Sequence, residues 1–249
     1  MGLNNAGAEV IAQTLSQRKS SKAIVGVNIA KTNDPKLNQQ KGIEDYLYTF
    51  EKLAELADFI TLNVSCPNTH DSKIQKTYEE PDVFAELLKC ISHSKKDNNY
   101  NTPILVKFSP LLDREKIYQL TEIALSFGID GFVISNTSPF SSVFFHSKNQ
   151  NTYHGKGGVS GKPLFSHSLE KVRLVATITE RKIPIIGVGG IFSSDDVIEM
   201  MRSGAWLVQI YTSFIYEGPS IVKRINKELQ FYLQTHHFDH IAQIRESAI

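Results

Sequence analysis

The chain has 249 residues, 41% of them hydrophobic and 21% charged, a composition that supports a packed core and excludes a disordered chain. Its 27 basic side chains balance 26 acidic ones, so the field that draws proteins to nucleic acid or anionic lipid is missing and no nucleic-acid partner is expected. Its two cysteines, Cys66 and Cys90, stand in no metal-ligand spacing, and no apolar run reaches the roughly 18 residues of a membrane-spanning helix, so no metal is predicted and the chain by itself reads as soluble.

The elements alternate from the start. A helix over "NNAGAEVIAQTL" comes first, with no strand before it. Next come a strand at 23–30 ("AIVGVNIA"), a helix at 43–57, a strand at 59–64 ("FITLNV") and a helix at 81–93. The segment "SHSKKDNNYN" (92–101) reads as a polar loop leading into a strand at 103–108 ("PILVKF"). A helix at 113–127, opened by Asp113, precedes a strand at 131–136 ("GFVISN"), after which 138–160 forms a long excursion that runs into "GKGGVSGKP". The pattern closes with a helix at 167–180, a strand at 184–190 ("PIIGVGG"), a helix at 194–203, a strand at 206–211 ("WLVQIY") and a helix at 219–234. Ser193 with Asp196 three residues on matches a capping box at the 194–203 helix.

The strand runs are continuous in their apolar character, which marks buried parallel strands, and their alternation with helices makes the fold α/β. An open doubly wound sheet and a closed barrel share that alternation. The polar groups separate them, because every strand ends in one: Asn28, Asn63, Lys107, Ser135 with Asn136 and Thr137, Gly189 with Gly190, and Tyr211 with Thr212. An open sheet needs polar ends on two or three strands at its switch point, whereas a barrel aims all its strand ends at one site. A (β/α) barrel is therefore expected, although only six strands are found where a closed barrel has eight.

Several of these groups have a chemical and a plain structural reading. "IIGVGGI" before "FSSDDVIEMM" is either a tight turn or a cradle in which backbone N–H groups and a helix start meet a phosphate. "LVQIYTSF" would offer a hydroxyl to the same anion, and "GGVSGKP" (157–163) is either another glycine contact or a flexible return. Lys107 lies inside an apolar strand, where an unpaired ammonium is costly, so it meets a salt-bridge partner, a ligand anion or an electron-rich ring. Asn28, Asn63, Asn68 and Asn136 are ordinary caps taken singly; as a set, groups that both donate and accept suit a neutral, amide-bearing heterocycle. Cys66 sits in "LNVSCPNTH" between asparagines, either as a small buried hydrophobe or as a thiol that takes a proton.

Taken together, "MGLNNAG", "VGVNIAK", "LNVSCPNT", "ILVKFSP", "VISNTS", "GGVSGKPL", "IIGVGGI" and "LVQIYTSFIYEGP" resemble, in order and spacing, the dihydroorotate dehydrogenases, and within them the class 2, quinone-reducing branch. The resemblance runs from the first residue to about 225. It implies an FMN-binding (β/α)8 barrel of the TIM type that oxidises (S)-dihydroorotate to orotate in de novo pyrimidine synthesis, with a quinone as final electron acceptor. It also implies FMN contacts at Asn28, Asn63, Lys107, Ser135, Gly161, Gly190, Tyr211 and Thr212. Substrate contacts are implied at Gly2, Leu3, Asn63, Asn68, Asn136 and Thr137. The residue at the Cys66 position is then the base that removes a proton from C5 as hydride leaves C6 for the flavin.

Two departures from the family pattern carry expectations of their own. Class 2 members usually have serine where this chain has Cys66, and cysteine is typical of the class 1 enzymes, which use a soluble acceptor; that is the alternative activity. The family's first two barrel strands, their glycine loop and substrate lysine, and the amino-terminal helices of the quinone tunnel and membrane anchor would all precede Met1. Residues 1–249 are thus expected to be one barrel domain lacking its N-terminal third, a poor enzyme alone or a non-catalytic remnant. By the resemblance, the family's members associate peripherally with the bacterial cytoplasmic or mitochondrial inner membrane through that missing segment.

Overall fold

The computed structural model describes residues 4–18, 23–34, 36–65, 77–139 and 158–247. They fall into two compact units, Met1–Phe108 with Glu115–Gly131, and Ser109–Arg114 with Phe132–Ile249.

The first unit holds three parallel strands, β1 (Gly26–Ile29), β2 (Phe59–Asn63) and β3 (Ile104–Phe108), with β2 in the middle. Its helices are α1 (Ala8–Ser16), α2 (Gln39–Leu53), α3 (Pro81–Asp97) and α4 (Arg114–Ser126), of which Arg114 belongs to the second unit. Side chains alternate across a strand, so the register separates two faces. Ile29, Ile60, Leu62, Val106 and Phe108 share one, and each is at most 3% exposed. Helix α3 covers that face, with the Phe84 ring set edge-on to Phe108 at 6.0 Å. The opposite face carries Gly26, Asn28, Thr61, Asn63, Leu105 and Lys107. Burial is therefore not uniform as the continuous runs implied: in β1, Gly26 and Asn28 are exposed while Ile29 is buried.

The polar stretch 92–101 is not a loop throughout, because α3 runs on to Asp97. Its polar residues sit where a helix tolerates them: Ser94 is buried and donates from Oγ to Glu51 Oε1 at 2.8 Å. Lys95 and Lys96 occupy the last turn, where cations meet the exposed carbonyls. The helix stops at Asn98, and Asn99 adopts φ 56, a left-handed conformation that asparagine accepts more readily than most residues. Helix α2 likewise begins earlier than expected, because Asn38 caps it by accepting from the Lys41 N–H at 2.9 Å.

The second unit has parallel strands β4 (Gly131–Ile134, Gly131 lying in the first unit), β7 (Ile185–Val188) and β8 (Leu207–Gln209), with β7 in the middle. A short antiparallel pair, β5 (Ser138–Pro139) and β6 (Gly158–Val159), lies between them in sequence and was not expected. Helices α5 (Phe165–Ile178), α6 (Ser194–Arg202), α7 (Thr212–Glu217), α8 (Ser220–Thr235) and α9 (Ala242–Glu246) follow, with a 3-10 turn at Lys162–Leu164 before α5. The core gathers Phe132, Val172, Val175, Ile185 and Met200, all fully buried. The capping box expected at α6 is present: Ser193 Oγ accepts from the Asp196 N–H and Asp196 returns a bond to the Ser193 N–H. Helices α7 and α9 have no counterpart in the sequence reading, since six and five residues are too few to show a helical period.

Candidate functional site

In the first unit the pleat brings Asn28, Asn63 and Lys107 to one face, and Asn63 and Lys107 are direct register partners on β2 and β3. Asn63 is 7% exposed, Lys107 half-buried and Asn28 exposed. Helix α2 fixes the end of β2: the Tyr46 hydroxyl, on that helix's apolar stripe with Ile43 and Phe50, donates to the Asn63 carbonyl at 2.8 Å. Ser65 Oγ donates to Asn63 Oδ1 at 3.2 Å, which orients the carboxamide. Tyr46 was not singled out in the sequence because its ring belongs to a core stripe and only its hydroxyl does polar work.

In the second unit Ser135 follows β4, fully buried after a cis Ile134–Ser135 peptide. Its N–H donates to the Val188 carbonyl at 3.0 Å, and its Oγ lies 2.9 Å from Ser168 Oγ on α5. Asn136 and Thr137 are half-buried, and the Thr137 N–H donates to Asn136 Oδ1 at 2.8 Å. Thr137 packs against the short antiparallel pair, where a Cβ on Gly158 would lie 2.4 Å from Thr137 Oγ1.

Gly161, Gly190 and Thr212 are brought together. Gly190 adopts φ +73, and a Cβ there would fall 2.7 Å from Phe165 Cβ and 2.9 Å from the Gly161 carbonyl oxygen, so two backbone turns approach at a distance only glycine permits. Gly161, at φ +80, lies under Thr212, whose Cγ2 would be 2.9 Å from a Cβ at that position. Thr212 Oγ1 donates to Ser160 Oγ at 3.1 Å. Tyr211, 62% exposed, precedes α7. Ser160 and Ser168 complete this hydroxyl set and carried no pattern by which sequence could have selected them.

The start of α6 is filled by the protein itself. Asp196 Oδ2 accepts from the N–H groups of Phe192 and Ser193 at 2.9 and 3.1 Å, and Oδ1 accepts from Lys162 Nζ at 2.6 Å. Burial pushes the Asp196 carboxyl up, but the bonds from Lys162, the Phe192 amide and Ser193, with the Lys162 charge, outweigh it and hold the carboxyl below its ordinary value. The ionised form is thus favoured by folding. Its contribution is complete above the unfolded-chain value of about 4 and is lost as pH falls through the lower folded value. Acid unfolding followed by circular dichroism should show a smaller loss of stability below about pH 4 in Asp196→Asn than in the unsubstituted protein.

Gly2, Leu3, Cys66 and Asn68 lie outside the described residues.

Six parallel strands alternating with helices, three in each unit, with polar groups at their carboxyl ends, define an α/β protein whose strands and helices are those of a partial (β/α)8 barrel. Two solved dihydroorotate dehydrogenase structures from Eimeria tenella share this fold. One, in a ligand-free form, matches with TM-score 0.83 and 26% identity over 98% of this chain and 71% of its own. The other, in complex with ferulenol, matches with TM-score 0.81 and 24% identity over 95% and 67%. The dihydroorotate dehydrogenase family model matches residues 1–233. Among curated relatives, the dihydroorotate dehydrogenase (quinone) of Christiangramia forsetii is 36% identical over 92% of this chain, and that of Coxiella burnetii 37% identical over 94%. The chain belongs to the dihydroorotate dehydrogenase family. It spans 64% and 66% of the length of those two relatives.

Proposed function

We propose that the protein binds FMN and oxidises (S)-dihydroorotate to orotate, with a quinone as final electron acceptor, in de novo pyrimidine synthesis. The observation that carries the reading is the register pairing of Asn63 with Lys107, on one face with Asn28, in a chain matched by the family model over 1–233. A carboxamide that donates and accepts, beside an ammonium, complements the amide edge of a flavin ring. The residues around Gly190 suit a phosphate: neutral hydroxyls of Ser160 and Thr212, and backbone at Gly161 and Gly190 with no side chain in the way. Taken within its own unit, each set suits one part of FMN, the first the ring's amide edge and the second the phosphate, and the family resemblance adds Ser135 and Tyr211 as further contacts.

When bound, FMN supplies the hydride acceptor. The chain's residues bind, orient and move a proton. Cys66 takes the C5 proton of dihydroorotate. By the family resemblance, Asn63, Asn68, Asn136 and Thr137, with Gly2 and Leu3, are the residues that contact the substrate. Holding the reacting partners in line supplies most of the rate. The quinone acceptor is lipid-borne, so peripheral membrane association at the bacterial cytoplasmic or mitochondrial inner membrane belongs to the same proposal; among the described residues no helix is long and apolar enough to cross a membrane.

The protein purified with FMN should retain the flavin. Anaerobic dihydroorotate should bleach its absorbance, and added quinone should restore it. Flavin retained but never bleached would reject the oxidation and leave a ligand-binding remnant, and no retained flavin would reject the whole reading. Cys66 favours one second reading, a class 1 type that passes electrons to a soluble acceptor, in which fumarate or NAD, not quinone, restores the absorbance.

A further inference from the structure

We infer that the Lys162–Asp196 ion pair is a positioning clamp that holds the Gly161 turn against the Gly189–Gly190 turn and so organises the phosphate cradle. The inference rests on the reading that Gly161, Gly190 and Thr212 hold the phosphate of FMN. Lys162 directly follows Gly161, and Asp196 opens the helix behind Gly190, so the pair spans the two turns whose backbones meet at Gly190.

The two ends of the bond are unlike. The Asp196 side chain is 9% exposed and anchored by the Phe192 and Ser193 N–H groups, whereas the Lys162 side chain is 59% exposed. An exposed pair between two free side chains contributes little. Here one partner is already fixed within the capping box, so the ammonium ties the 3-10 turn to a rigid point. Lys162 Nζ also lies 4.8 Å from the centre of the Phe165 ring, and Phe165 Cβ is the atom closest to the space beside Gly190. Lys162 is thus held by the start of α6 and the start of α5 together.

The turns need such a tie because glycine loses more conformational freedom than any other residue when its backbone is fixed. Gly161, Gly189 and Gly190 all have positive φ. The Gly161 turn closes on itself through short-range backbone bonds alone, from the Leu164 N–H to the Gly161 carbonyl at 3.0 Å and from the Phe165 N–H to the Lys162 carbonyl. A clamp that fixes both turns before ligand arrives removes ordering cost from binding. Its effect should fall on ligands that use the cradle and spare those that do not.

FMN and riboflavin differ by that phosphate, so the test titrates both into the full chain by flavin fluorescence. Lys162→Met, which keeps the apolar stem, should weaken FMN binding about tenfold and leave riboflavin within about twofold, and Lys162→Arg should restore FMN binding. Asp196→Asn should also weaken FMN. If Lys162 instead touched the phosphate directly, releasing it from Asp196 would leave FMN binding unchanged or tighter, and that result would overturn the clamp. Hydrogen exchange without flavin gives a second readout: Lys162→Met should speed exchange at residues 161–164 and 189–193 and leave α8 unchanged. Unchanged exchange there, or equal loss of both flavins, overturns the proposal. Equal affinity of the unsubstituted protein for FMN and riboflavin rejects the phosphate cradle itself and the clamp's role in it. That failure is recognised by exchange in Lys162→Met still speeding at both turns.

Discussion

Gly190→Ala should abolish retention of FMN and lower the melting temperature by several degrees. Alanine at φ +73 incurs about 1–2 kcal/mol of backbone strain, and the added methyl has nowhere to go. It would lie 2.7 Å from Phe165 Cβ, 2.9 Å from the Gly161 carbonyl oxygen and 3.0 Å from Phe165 Cα, two of them backbone atoms that cannot rotate away. Overpacking of that kind costs about 1–3 kcal/mol more, and the relief available is to part the two turns that the phosphate is proposed to join. Gly218 is the control in the same unit. It has the same φ of 73 and nothing within 4 Å of its missing Cβ, so Gly218→Ala should show the backbone cost alone and keep FMN. Thermal unfolding and flavin retention measured on both variants decide the matter; equal losses would show that close approach at Gly190 is not the cause.

Cys66→Ala should lose about 10²–10⁴ of turnover while keeping FMN, the scale expected when a positioned general base is removed and the cofactor's contacts are left in place. Cys66→Ser gives the sharper result. A thiol titrates near pH 8.5, and a hydroxyl is much harder to deprotonate. A serine base should therefore leave measurable activity whose optimum moves to higher pH. The pH–rate profiles of the three proteins separate the possibilities. Turnover unchanged in Cys66→Ala would return Cys66 to a packing role and leave the proton to another group.

Much of this was legible in the chain because the informative groups interrupt apolar runs. Lys107 within "ILVKF" and Asn63 at the end of "FITLN" violate the pattern of a buried strand, and a violated pattern is visible without coordinates. The capping box at Ser193 and Asp196 was legible for a related reason, since both partners lie within one helical turn. The end of helix α3 is hidden in the sequence because Ser94, Lys95 and Lys96 look like loop residues until Glu51, 43 positions away, is seen to accept from Ser94. Lys162 carries no signal of its own within "GGVSGKP", which reads as either a glycine contact or a flexible return, because its partner is 34 residues on and nothing local joins them.

Sequence alone determined the α/β class, the six main strands and the identity of the strand-end polar groups, because these follow from period and composition along the chain. Tertiary structure decided which of those groups share a face, and register is the reason: a shift of one residue between β2 and β3 would have turned Lys107 away from Asn63. It also decided that the donors at the start of α6 are already taken by Asp196, and that the turns at Gly161 and Gly190 meet, where a side chain on either would occupy space its neighbours already fill.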